Sequence, residues 1–228
     1  MPGTNDPAAS RVRATILASG AGTNARNVLE CIAEGVLPLT VVAVISNDPH
    51  AGALAVAREF GVEACAVPWE RATQTRTAYD VRLIAEVART EPELVLLLGW
   101  MHLLPPEFLL RFPAILNVHP AYLPLDPAAE TVTMPDGTII PALRGAHAVR
   151  DAVQAGLAWS GASVHAVTEE TDRGAIYVRI PLAVPPGADE TRLQAEIRQL
   201  EFQAVPAAIL RWLAERPQTW EEGEHGKR

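Results

Sequence analysis

Cysteine is scarce: the 228 residues hold two, Cys31 and Cys65. One lies in a helical pattern and one in a strand pattern, which suits packed thiols in a reducing compartment and provides no disulfide framework. Positive charge is also short, since 19 Lys and Arg against 27 Asp and Glu leave a net charge of -8. That balance argues against a general nucleic-acid or anionic-membrane surface, so an anionic ligand must be held by a local site. No apolar run is long enough to span a bilayer, and the opening Met1-Pro-Gly-Thr-Asn-Asp-Pro has no apolar signal core. A cytoplasmic protein is expected. The six histidines lack the paired spacing of a zinc site, so no metal is expected, and no internal repeat is evident.

What is present is a core former, with 49% hydrophobic residues. The expected organisation is a tail over 1–12, a single domain over 13–216 carrying an inserted hairpin at 125–144, and a polar tail over 217–228. Strand patterns at Thr15–Ala18, Thr40–Ser46, Ala64–Val67 and Leu94–Leu98 alternate with helical ones at Asn24–Glu34, Ala51–Phe60 and Thr77–Thr90. That alternation predicts an α/β fold, a mostly parallel sheet with helices on both faces. A short helix near Glu107–Arg111 and a helix over Gly145–Gln154 are also predicted. Ala175–Val184 contains Pro181 and reads as an edge antiparallel strand. Glu190–Ala214 is a long helix with Leu193, Ile197, Leu200 and Ala204 on one stripe, and with Pro206 as a candidate kink.

The run Ala114-Ile-Leu-Asn117-Val-His119-Pro120 ends a strand by presenting an amide and an imidazole on one face, because strand side chains alternate with period two. Ligands of parallel sheets bind beyond the strands' carboxyl ends. An amide donor beside a titratable ring there suits chemistry that stabilises an oxyanion and moves a proton. A second strand pattern, Ala162–Val167, runs on to Asp172, a carboxylate able to face the imidazole or to serve only as a turn residue before Gly174. Ser19-Gly-Ala-Gly-Thr-Asn24 is either a structural turn or a phosphate cradle at a helix start. It lacks the Lys of a nucleotide P-loop and the glycine spacing of a dinucleotide fingerprint.

Through Ser19–Asn24, Ile45–Asp48, Gly99–Leu104, Asn117–Pro120 and Gly161–Thr168 with Asp172, the chain resembles the phosphoribosylglycinamide formyltransferases, folate-dependent enzymes of purine synthesis. The resemblance runs from about Arg13 to about Glu215 and implies a Rossmann-like formyltransferase fold. It also implies formyl transfer from 10-formyltetrahydrofolate to glycinamide ribonucleotide, with catalytic Asn117, His119 and Asp172. The same resemblance implies that Gly20, Ala21, Gly22, Thr23 and Asn24 hold the substrate phosphate and Glu201 the ribose and amine, with Arg198 in reach of the phosphate. Arg198 and Glu201 are equally compatible with a solvated helix face. Arg76 and the segment Trp100, Met101, His102, Leu103 and Leu104 would line the folate side. Asp172 is expected to raise the pKa of His119, while His147 and His165 are expected to pack or to support rather than to ligate.

Three departures stand out. His102 occupies a position where the family usually has Arg, and Arg173 stands for a Gly beside Asp172. The segment Leu125–Arg144 is much longer than usual, and Thr131–Ile140 reads as a hairpin with an Asp136-Gly137 turn and with Val132, Met134 and Ile139 alternating. It is expected to form a flap over the site, with a subunit contact in a homodimer as the alternative. Other folate-dependent formyltransferases, a formyltetrahydrofolate hydrolase, and a non-catalytic phosphate-ligand or folate-binding protein are the competing functions.

Overall fold

Four of the six residues of strand β1 (Val12–Leu17) are apolar, and the sheet buries them on both sides: Ile16 packs into one layer and Leu17 into the other. The computed structural model describes residues 11–216, so residues 1–10 of the expected tail over 1–12, and all of the expected tail over 217–228, lie outside the described residues. Val12 is buried in β1, so the strand begins inside the segment read as a tail.

The elements that follow are α1 (Thr23–Ala33), β2 (Leu39–Ser46), α2 (Gly52–Glu59), β3 (Glu63–Ala66), α3 (Arg76–Arg89), β4 (Leu94–Leu97), α4 (Pro106–Arg111) and β5 (Ile115–His119). Next come β6 (Thr131–Thr133), β7 (Ile139–Pro141), α5 (Ala148–Gln154), β8 (Trp159–Ala166), β9 (Ile176–Ala183) and α6 (Glu190–Glu215). Seven strands form one sheet in the order β3-β2-β1-β4-β5-β8-β9. The pairs from β3 through β5 are parallel, β8 pairs antiparallel with β5, and β9 pairs antiparallel with β8, so β8 alone runs against the other six strands and β9 is the edge strand in antiparallel pairing that the sequence predicts. One face is covered by α1, α2 and α6, and the other by α3 and α4.

Strand order reverses around β1, whose neighbours β2 and β4 lie on opposite sides, and such a switch point opens a crevice at the strands' carboxyl ends. The helix starts there are set locally. Thr75 accepts from the Ala78 N–H at 3.2 Å to cap α3, and Asp189 accepts from Arg192 N–H at 2.8 Å to cap α6. Pro206 is buried within α6, and Leu193, Ile197 and Ala204 are buried on it as the stripe predicts, with Leu200 partly so. Helix α5 starts three residues later than read from sequence: Gly145 has φ +81°, which keeps it out of the helix and leaves its N–H free for another partner.

The insert does contain a hairpin, β6 against β7. Its inward residues are Val132, Met134 and Ile140, packed on Tyr122, Leu157 and Trp159, whereas Ile139 is exposed. Among the described residues no helix is long and apolar enough to cross a membrane.

Candidate active site

Residues beyond β1, β4 and β5 converge on one cleft of about 530 Å³. Gly20–Asn24, Trp100–Leu104, Asn117, His119, Asp172, Arg198 and Glu201 all line it. Arg76 does not: its guanidinium binds Asp80 at 2.8 Å, lies 5.2 Å from the centre of the Trp69 ring, and donates to the Leu103 carbonyl. It therefore supports the 100–104 segment from behind. The hairpin strands do not line the cleft either; of the region around the insert only Gly145 and Ala146 do. The hairpin expected as a flap instead lies outside the cleft lining, with its apolar side packed on Tyr122, Leu157 and Trp159.

The centre of the cleft follows from strand register. Leu116 and Val118 pack into the α1/α6 layer, which turns Asn117 and His119 to the opposite face. Across the antiparallel β5/β8 pair Asn117 stands opposite His165, and His119 opposite Ser163. Asn117 Nδ2 is 3.1 Å from His165 Nε2 and 3.5 Å from Asp172 Oδ1. His165 Nε2 reaches Asp172 Oδ1 at 3.3 Å, and His119 Nδ1 reaches Asp172 Oδ2 at 3.4 Å. The Gly145 N–H donates to the same Oδ2 at 2.7 Å. His165 is thus a direct partner of the carboxylate, and its place two residues after Ser163 on β8 is the signal that put it on this face. His147, by contrast, is an exposed residue preceding α5 and packs against nothing central.

These groups perturb one another. Burial would push the Asp172 carboxyl up, but the His165 hydrogen bond, the His119 charge and the Gly145 N–H hold it down at about 2. His119 moves the other way from expectation. Burial carries it below the ordinary imidazole range, and the opposing pull of Asp172 and of the Leu143 carbonyl does not compensate. Its Nε2 lies 2.7 Å from Leu143 O, so both ring nitrogens face acceptors, a pattern that only the imidazolium satisfies fully. The ring is therefore poised to take a proton.

At the glycine loop, Gly22 has φ +79° and a Cβ there would lie 2.4 Å from Ala53 Cα, so this glycine seats the loop against α2. Gly20 has open space around it and faces the cleft. The first N–H groups of α1 have no carbonyl partner within the helix. Asn24 Nδ2 donates to Glu201 Oε2 at 2.8 Å, and burial raises the Glu201 carboxyl against the lowering effects of Asn24 and Arg198. On the other side, Ser19 Oγ donates to Asn47 Oδ1 at 2.5 Å and accepts from Met101 N–H at 3.0 Å. His102 sits edge-on to Trp69, Tyr79 and Trp100, and burial there lowers its pKa. It is a half-buried ring on the cleft wall, at the position where the family usually has an Arg near the folate.

Residues 12–209 match the Formyl transferase family. A phosphoribosylglycinamide formyltransferase of Mycobacterium tuberculosis is 36% identical over 204 residues, 89% of this chain and 86% of the relative. The Escherichia coli phosphoribosylglycinamide formyltransferase is 31% identical over 201 residues, 88% of this chain and 86% of the relative. The crystal structure of glycinamide ribonucleotide transformylase 1 from Symbiobacterium toebii superposes with a TM-score of 0.79 at 33% identity, covering 94% of this chain and 93% of that one. Match, relatives and superposition span the whole described sheet and the cleft at its switch point, and the chain belongs to the Formyl transferase family.

Proposed function

We propose that the chain transfers a formyl group from 10-formyltetrahydrofolate to the amine of glycinamide ribonucleotide in purine biosynthesis. The observation that carries this reading is the Asn117–His119–Asp172 cluster, set in the same cleft as a glycine loop with Arg198 and Glu201 and as the apolar segment Trp100–Leu104. The α1 amino terminus and Arg198 suit a phosphate, and the buried Glu201 suits a hydroxyl or amine. The 100–104 segment offers apolar walls for a pterin ring.

The amine lone pair attacks the formyl carbon, a C–N bond forms, and the carbonyl electrons move onto oxygen. Asn117 Nδ2 donates to that oxygen without changing its own protonation. The nitrogen, now positive, must lose a proton. A His119 that begins neutral, with its Nε2–H on Leu143, takes that proton at Nδ1, and the new N–H then points at Asp172 Oδ2. When the oxygen electrons fall back, the bond from carbon to folate N10 breaks and N10 takes the proton that His119 had accepted, which returns the ring to its neutral form. Atoms and charge balance with no further reactant. A cytosolic setting is supported by the two free cysteines.

Incubating the protein with 10-formyltetrahydrofolate and following folate release tests the reading. Release that requires glycinamide ribonucleotide supports it. Release with an amino-sugar nucleotide, or with no acceptor, reassigns the site to a related formyl transfer or to hydrolysis. Binding without release makes it a carrier.

A further inference from the structure

The structure assigns Glu130, Arg144 and Arg173 to a clamp that positions Asp172 for the reaction proposed above, on which this assignment rests. Asp172 has φ 54°, a left-handed backbone that Asp tolerates better than most non-glycine residues, and its surroundings hold it there. Two anchors do so. The first is the Gly145 N–H on Oδ2 at 2.7 Å, and the second is the neighbouring residue Arg173.

Both anchors lead to the base of the insert. Arg173 donates to Glu130 Oε1 at 2.5 Å and to the Pro127 carbonyl. Arg144, which precedes Gly145, donates to the other oxygen of the same carboxylate at 3.2 Å, to Ala129 O at 2.8 Å and to Pro127 O at 3.3 Å. A closed circuit results, running from Asp172 through Arg173, Glu130, Arg144 and Gly145 back to Asp172. Leu143, just before Arg144, accepts from His119 Nε2 at 2.7 Å, so the same three-residue stretch grips both members of the central pair.

An isolated exposed ion pair would contribute little. Here one carboxylate joins two planar guanidinium forks that also hold main-chain carbonyls, which fixes direction as well as distance. Reacting groups misplaced by about 1 Å lose roughly 100-fold in rate, so such a clamp acts on turnover more than on stability. The groups facing Asp172 are His119 on β5, His165 on β8, Asn117 and the Gly145 N–H, while Glu170, 3.7 Å from Arg173 Nε, competes for the arginine. Arg173 and the insert thus belong to one device.

The test compares Glu130→Gln, Arg173→Ala, Arg173→Lys and the Glu130→Gln/Arg173→Ala double variant with Asp172→Asn as reference. Each single clamp variant should lower kcat roughly tenfold with both KM values within about twofold. The double variant should be no worse than the poorer single one, since each opens the same circuit. Arg173→Lys should recover part of the loss. The pH limb set by His119 should shift in the direction seen for Asp172→Asn, and melting temperatures should hold. A 13C NMR titration of Asp172, independent of turnover, should show its carboxyl rising from about 2. Wild-type kcat in Glu130→Gln and in Arg173→Ala overturns the clamp, as does activity lost only in proportion to folded protein. A wild-type chain that transfers formyl to no acceptor overturns the proposed function instead, and the Asp172 titration then decides the clamp alone.

Discussion

Asn24 Nδ2 donates to Glu201 Oε2 at 2.8 Å, joining the first turn of α1 to the middle of α6 across 177 positions of chain. Glu201 is buried and its carboxyl is raised by that burial, so the folded state holds its proton more tightly than the unfolded state does. Linkage then has a definite sign. At low pH the group is protonated in both states and costs nothing, whereas as pH rises past the unfolded value of about 4.3 it works against the fold. Glu201→Gln should therefore raise the melting temperature at neutral pH, with the gain vanishing in acid. The same variant should raise KM for glycinamide ribonucleotide roughly tenfold, the scale of losing one charge-assisted hydrogen bond. A melting temperature that falls at neutral pH would show that the ionised carboxylate is a structural requirement.

Asn117→Ala and His119→Ala should each lower turnover by roughly 100-fold or more while leaving the protein folded. Both side chains lie on the cleft face of β5, and the core packing of that strand rests on Leu116 and Val118. Near-native turnover in either purified variant would remove that residue from the mechanism.

The Asp172–His119 pair predicts two steps in acid stability. Asp172 is held at about 2, well below its unfolded value, so its contribution is complete above about pH 4 and is lost as pH falls toward 2. That contribution is about 2 kcal/mol. His119 is depressed by burial, so charging the unfolded ring begins to erode stability as pH falls through about 6.5. Denaturant titrations from pH 7 to pH 2 should show both losses, and Asp172→Asn should remove the lower one. In activity profiles Asp172→Asn should move the His119 limb to lower pH, because the charge that pulls the ring upward is gone.

Period two on β5 made Asn117 and His119 readable as a pair, and the same alternation on β8 carries His165, which the sequence alone left among the supporting residues. The parallel sheet was legible in outline because buried parallel strands such as Leu94–Leu97 write themselves as apolar runs. The hairpin's inward face lies one residue from where the alternation of the sequence places it. Its connection spans Met134–Thr138, with Met134 N–H donating to Thr138 O, so the inward face falls on Ile140 and not on Ile139. The clamp around Asp172 left no local trace, since Glu130 and Arg173 are polar residues 43 positions apart whose meeting depends on tertiary structure. The pKa of His119 departs from the sequence expectation for a related reason: a charge partner is visible in sequence, while the loss of water around the ring is not.

The two glycines of the loop should separate a packing role from a binding role. Gly22→Val meets Ala53 at backbone distance and needs a left-handed φ, so it should lower the melting temperature and damage both substrate requirements. Gly20→Val meets nothing within 4 Å and points its new side chain toward the cleft. It should preserve folding and raise KM for the ribonucleotide far more than for the folate. Equal effects of Gly20→Val on both KM values would place the phosphate elsewhere.

Excising the hairpin is the sharpest test of what the insert does. Ala142 N–H donates to Glu130 O at 2.9 Å, so the two ends of the hairpin already meet, and residues 131–141 can be replaced by a short glycine turn. Loop shortening itself has a small thermodynamic effect. The loss comes from uncovering Tyr122, Leu157 and Trp159, against which Val132, Met134 and Ile140 pack, and it should appear as a lower melting temperature. Glu130, Arg144 and Gly145 stay in the shortened chain, so kcat should fall less than threefold, far short of the loss expected from opening the clamp. A collapse of kcat/KM with an intact melt would mean that the hairpin does reach over the bound substrates. A change of mass by light scattering, with activity retained, would instead assign its exposed side, where Ile139 lies, to contact between two copies of the chain.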